Sequence, residues 1–146
     1  MRELSRYAFL AGAIPLLLLG AMHAMYTPQL SSERKGLSPA DPGLAASMAR
    51  SALCLTDQTN VWRAWVGFNL SHSLGLVLFG IVVVLVAVTP ASFERNAAVF
   101  LPLAVVASLA YLCLNLAYWF RAPTIGIFLS VLMFSSAWVL DFVVRK

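Results

Sequence analysis

The chain has 146 residues, of which 61% are hydrophobic and 11% charged, and its formal net charge is +4. A soluble domain carries roughly 25% charged residues, and a chain this short has too much surface for its volume to hide so many apolar side chains; the composition excludes a soluble globular domain. The ten Lys and Arg residues are scattered with no run longer than two, which suits the basic flanks of membrane helices and offers no footprint for nucleic acid.

In chain order, apolar runs occupy about residues 7–26, 61–89, 97–120 and 124–144. Each is long enough to cross about 30 Å of hydrocarbon, for which roughly 20 residues are needed. Backbone groups in lipid must pair within their own segment, so the runs are predicted to be helices. The expected fold class is all-α: a single-domain, four-helix transmembrane bundle over residues 1–146, with a partly helical loop between helices one and two.

The first run has a basic start and an apolar middle like a signal peptide. Met22-His23-Ala24 is a poor match to a small-residue cleavage site, so a retained helix is expected. Pro15 in this helix and Pro102 in helix three each remove one backbone bond.

Residues 27–60 are too many for a simple connector. Asp41-Pro42 reads as an N-cap followed by N1, and Leu44, Met48, Ala52 and Leu55 then recur at helical spacing. A short amphipathic helix at the membrane surface is predicted there. Thr59 or Asn60 can cap helix two, Asn96 can cap helix three, and Pro123 lies near N1 of helix four. The short second and third connections predict antiparallel neighbours.

Arg2, Arg6, Arg95, Arg145 and Lys146 crowd short flanks on one side, whereas Arg34, Lys35, Arg50, Arg63 and Arg121 fall on the other. The crowding favours cytoplasmic termini in a bacterial inner membrane, with the long loop outside. Cys54 and Cys113 form no C-x-x-C pair and are read as free thiols.

Both histidines lie inside spans, His23 near the outer end of helix one and His72 two to three turns into helix two. Asn115 is in the outer half of helix three. Polar groups at membrane depth tend to face other helices and to mark sites. On helix two, Trp62, Trp65, Asn69, His72, Ser73 and Leu76 share one stripe, and Gly67, Ser71 and Gly75 share another that permits close helix approach. On helix three, Ser108, Tyr111, Asn115 and Tyr118 align; on helix one, Gly12, Leu16, Leu19, His23 and Tyr26 do.

The candidate ligand-binding set is therefore His23, Trp65, Asn69, His72, Ser73, Tyr111, Asn115 and Tyr118, with Arg63 and Arg121 just above to hold an anionic group. The plainer alternative is that these groups only hydrogen-bond helices together and that the aromatic residues form an interfacial belt. His23 and His72, with Met22 and Met25 nearby, are the only candidates for a haem or metal, fewer ligands than most metal sites use. No cofactor is otherwise indicated. Asp141 aligns with Ser130, Phe134 and Ala137 and is expected to pair with Arg2, Arg6 or Arg95. No nucleotide, nucleophile-elbow or metalloprotease motif is present, which favours a non-catalytic role. The expected partners are the bilayer and either a second copy or another membrane protein. A transporter subunit is disfavoured because residues 81–88 in the inner half of helix two are apolar, apart from any polar path.

The stretch from Thr59 to Gly75 carries W-R-x-W-x-G-F-N-x-S-H-S-x-G. Together with Leu78-Phe79-Gly80, Gly20-x-x-His23 and Tyr118-Trp119-Phe120-x-x-Pro123-x-x-Gly126-Ile127, it resembles a bacterial family of small four-helix integral membrane proteins with no assigned activity. The resemblance implies the four-span topology and singles out His23, Asn69 and His72, without implying a reaction.

Overall fold

A computed structural model describes residues 1–145, with only the backbone of Arg145; the predicted basic flank at Arg145 and Lys146 lies outside the described side chains. The fold is all-α. In order, it comprises α1 (Arg2–Tyr26), α2 (Pro42–Arg50), a small ribbon of β1 (Ala52–Leu53) and β2 (Thr56–Asn60), then α3 (Val61–Ala87), α4 (Pro90–Tyr118) and α5 (Arg121–Arg145). Four helices, α1, α3, α4 and α5, are long and apolar enough to span a membrane. Contacts divide the described residues into two compact units, one of residues 1–19 and 76–145, the other of residues 20–75.

The larger unit is organised around aromatic side chains. Phe9, Phe93 and Phe134 are fully buried. Phe9 meets Phe93 and Phe134 at centroid distances of 5.8 and 5.5 Å, and Phe79 meets Phe134 at 6.1 Å. Leu16, Val83, Leu101, Ile127 and Ala137 complete this core. Leu18, Leu85, Val106 and Val139 point outward on the same helices and are exposed, as lipid-facing positions should be. The predicted face of α5 is present: Ser130, Phe134, Ala137 and Asp141 are all buried.

Helix ends explain several departures from expectation. Helix α4 starts at Pro90, not near Asn96. Thr89 is its cap, accepting from the Ser92 N–H at 3.2 Å, with Pro90 at N1. A threonine cap followed by proline satisfies one orphan donor and wastes none. Asn96 sits inside the helix and donates to the Ser92 carbonyl at 2.8 Å. At the end of α3, Arg6 donates to the Ala87 carbonyl at 3.0 Å, so a cation meets a helix C-terminus where carbonyls lack partners. Of the basic residues weighed for Asp141, Arg6 pairs with Glu3 at 2.6 Å and Arg2 with Glu94 at 3.5 Å. Helix α5 starts at Arg121, which places Pro123 at its third position.

The smaller unit packs Trp62 against Ala45 and Val66, flanked by Met48, Ala49 and Trp65. Asp41 caps α2, accepting from the Gly43 N–H at 2.8 Å, with Pro42 next as expected. The amphipathic face differs from the predicted one. Helix α2 stops at Arg50 because Ser51 turns extended and returns both its N–H and its hydroxyl to the Ser47 carbonyl. Ala52 therefore enters the ribbon, and Leu55 sits at its turn, 92% exposed. The buried face is made by Ala45, Met48 and Ala49, while Leu44 is exposed. Asn60 caps α3, accepting from the Arg63 N–H at 2.9 Å.

Candidate functional site

Within the smaller unit, His23 comes from the last turns of α1, and Asn69 and His72 come from one stripe of α3. The three side chains meet. His23 Nε2 lies 2.9 Å from Asn69 Oδ1, and the His23 and His72 rings are edge-to-face with centroids 5.1 Å apart. Asn69 is 5% exposed, and both imidazoles are half-buried, so each presents part of its ring to the surroundings.

The direction of the His23–Asn69 bond is set by the amide. Asn69 Nδ2 donates to the Trp65 carbonyl at 2.8 Å. That contact fixes the amide so that its oxygen faces His23, and an amide oxygen can only accept. His23 Nε2 is therefore the donor. Ser73 donates to the Asn69 carbonyl at 2.9 Å, which ties the next turn of the same stripe to the cluster. The Trp65 ring packs on Trp62 at 5.3 Å, and Trp62 Nε1 donates to the Gln29 carbonyl at 3.3 Å. Thr27 binds the His23 carbonyl through its hydroxyl at 2.8 Å and closes the end of α1. The loop thus anchors the helix that carries His23. Arg63 lies nearly two turns before Asn69, exposed.

The arrangement places two imidazoles beside a buried amide at the end of an apolar span. It offers hydrogen-bonding edges to a polar group, with the Trp62–Trp65 pair earlier on the same helix. Metal ligation fits it less well. A ligating histidine needs a lone pair on the coordinating nitrogen; His23 donates through Nε2 to Asn69, which leaves Nδ1 as the ring atom that could ligate. Among the described residues, no three His, Cys, Asp or Glu side chains gather where they could hold one ion.

The remaining predicted residues belong to the larger unit. Asn115 is buried and donates through Nδ2 to the Tyr111 carbonyl at 2.9 Å. Tyr111 is half-buried, and Tyr118, expected on the same stripe, is 80% exposed. Asn115 and Arg121 share a groove of about 290 Å³ at the α4–α5 turn with Leu116, Trp119, Phe120 and Ile125; Thr124 also reaches it. Helical spacing does not single out Trp119 or Thr124 here. The signal present in the sequence is a helix start without a capping side chain, since Phe120 precedes Arg121.

Cys54 and Cys113 are free and exposed, the first at the ribbon turn and the second on α4. Comparison with protein-family models, curated proteins and solved structures gives no match.

Proposed function

We propose that this chain is a multi-pass protein of a bacterial cytoplasmic membrane, with cytoplasmic termini, that binds a small or lipidic ligand through His23, Asn69 and His72 at the outer end of its helices. The observation that carries the reading is the meeting of the three side chains: His23 bonded to Asn69 at 2.9 Å, and His72 beside it at 5.1 Å. Helix-to-helix glue needs one such bond; a second half-buried imidazole on the same spot adds recognition chemistry that packing does not require. Intramembrane ionisable groups mark function by default. The resemblance to the bacterial four-helix family points to the same three residues and agrees with this reading.

The test is native mass spectrometry of full-length protein extracted with its lipids. The unaltered chain should retain an adduct that His72→Ala loses. Identical adduct spectra for both would remove the proposal. Docking of another membrane protein on the same face would appear instead as a protein-sized adduct with the same dependence on His72. A haem role through His23 and His72 would show a Soret band on the purified chain. His23 would then ligate through Nδ1, because its Nε2 donates to Asn69.

A further inference from the structure

The groove at the α4–α5 turn carries a separate site. We infer that it binds the phosphodiester headgroup of an anionic phospholipid, with an acyl chain laid along Leu116 and Ile125. This groove shares no residue with the His23–Asn69–His72 cluster, so the two readings stand or fall separately.

Three features point to that chemistry. The first is charge. Arg121 is exposed and makes no ion pair or side-chain hydrogen bond with any described residue. It is also the first residue of α5, where a helix carries partial positive charge. The N–H groups of Arg121 and Ala122 precede the first helical bond, and Phe120 has no side-chain acceptor to satisfy them. Backbone donors beside a free guanidinium make an anion site.

The second feature is a polar group that lines the groove. Asn115 is 6% exposed, and its Nδ2 is used by the Tyr111 carbonyl. Its Oδ1 accepts nothing from the described residues, yet it is not sealed in, because no buried side-chain polar atom among them lacks a partner. Asn115 is one of the residues that line the groove. An accessible amide oxygen at the groove suits a headgroup hydroxyl, near the donors that suit its phosphate.

The third feature is the wall. Leu116 is 69% exposed and Ile125 59%, and both border the groove. Two candidate spans end at this turn, one at Tyr118 and one beginning at Arg121. Trp119 lies between them, at the level where amphipathic rings sit in a bilayer. A cation and backbone donors at the interface, with apolar side chains running into the hydrocarbon, match one phospholipid better than a soluble anion.

The test incorporates the full chain into bilayers of equal phosphatidylglycerol and phosphatidylcholine, extracts it gently and reads the retained lipid by native mass spectrometry. The unaltered chain should retain phosphatidylglycerol over phosphatidylcholine by about fivefold, the weight of one interfacial cation near an anionic headgroup. Arg121→Gln should bring the ratio close to parity, Arg121→Lys should keep most of it, and Arg50→Gln, at an exposed cation outside both sites, should leave it unchanged. No preference in the unaltered chain, or a preference that survives Arg121→Gln, overturns the site. Glycerol phosphate, the same headgroup chemistry without chains, should fail to displace the lipid at millimolar concentration; displacement would mean a soluble phosphate site and overturn the lipid assignment. A second measurement needs no variant at Arg121. Brominated phosphatidylglycerol should quench tryptophan emission more than brominated phosphatidylcholine does, and Trp119→Phe should remove the difference. Equal quenching by the two lipids in the unaltered chain is the opposing result.

Discussion

His23 donates through Nε2 to Asn69 Oδ1 at 2.9 Å, and the same amide donates from Nδ2 to the Trp65 carbonyl at 2.8 Å. Asn69 is thus held at both ends, and its orientation sets the protonated nitrogen of His23. Asn69→Leu takes away the acceptor of a half-buried imidazole, a loss on the order of 1–2 kcal/mol. In a double-mutant cycle for unfolding in bicelles, Asn69→Leu and His23→Ala should couple by about 0.6–1.7 kcal/mol, the range for interhelical hydrogen bonds in membranes. Strictly additive losses would mean that the bond does not contribute to stability.

Gly12 and Gly67 are both helical glycines, and the structure separates them. A Cβ on Gly12 would fall against the Phe134 ring, 2.6 Å from Cδ1. That ring is fully buried and hemmed by Phe9 and Phe79, so it has nowhere to turn. A Cβ on Gly67 meets nothing within 4 Å. Gly12→Ala should therefore cost about 1–3 kcal/mol through overpacking. Gly67→Ala should stay within about 0.5 kcal/mol, as surface substitutions do. Denaturation of the two variants side by side checks the contrast, and equal losses would refute the packing argument.

The spans were legible because nothing but lipid accounts for apolar runs of that length. The pairing of Asn69 and His72 on one stripe, and the buried face of Ser130, Phe134, Ala137 and Asp141, came from helical spacing alone. Spacing failed where helices end. Tyr118 aligns with Asn115 on paper, but it occupies the last residue of α4 and is exposed. Leu44, Met48, Ala52 and Leu55 also keep helical spacing, yet the backbone turns extended at Ser51 and ends the helix between Met48 and Ala52. Periodicity ranks faces but does not count turns. Helix α4 is capped at Thr89 and not at Asn96 because the residue after the cap must suit N1, and Pro90 is better preset for that position than Ala97. The groove at Arg121 needed the fold, since its walls come from two helices joined by a turn.

Glu33 orders the loop between α1 and α2. Its carboxylate accepts the Gln29 N–H at 3.2 Å and pairs with Lys35 at 3.3 Å. The backbone hydrogen bond first, then Lys35, hold its pKa below the usual 4.5. A carboxylate whose pKa is lowered by folding adds stability above its unfolded value and loses it as pH falls through the folded one. Order in the loop should therefore weaken on acidification below 4.5, the ordinary glutamate value. Hydrogen exchange at the Gln29 amide should accelerate there relative to Leu37, whose N–H binds the Tyr26 carbonyl at 3.1 Å. Glu33→Gln should remove the difference in pH response, and an unchanged response would discount the carboxylate.

The two cysteines report the topology without further engineering. Cys54 is exposed at the ribbon turn, next to Leu55, in the long loop between the first two spans. Cys113 is exposed on α4 within a candidate span, so its thiol faces the lipid phase. A membrane-impermeant reagent reaches thiols in water and does not enter hydrocarbon. A membrane-impermeant maleimide applied to intact cells should label Cys54 rapidly and Cys113 slowly, if the loop lies outside and the termini inside. Cys54→Ser should abolish the fast phase, and Cys113→Ser should leave it. Protection of Cys54 in intact cells, with rapid labelling after the membrane is opened, would reverse the orientation. Rapid labelling of both cysteines in intact cells would place α4 in water at Cys113 and contradict its reading as a span.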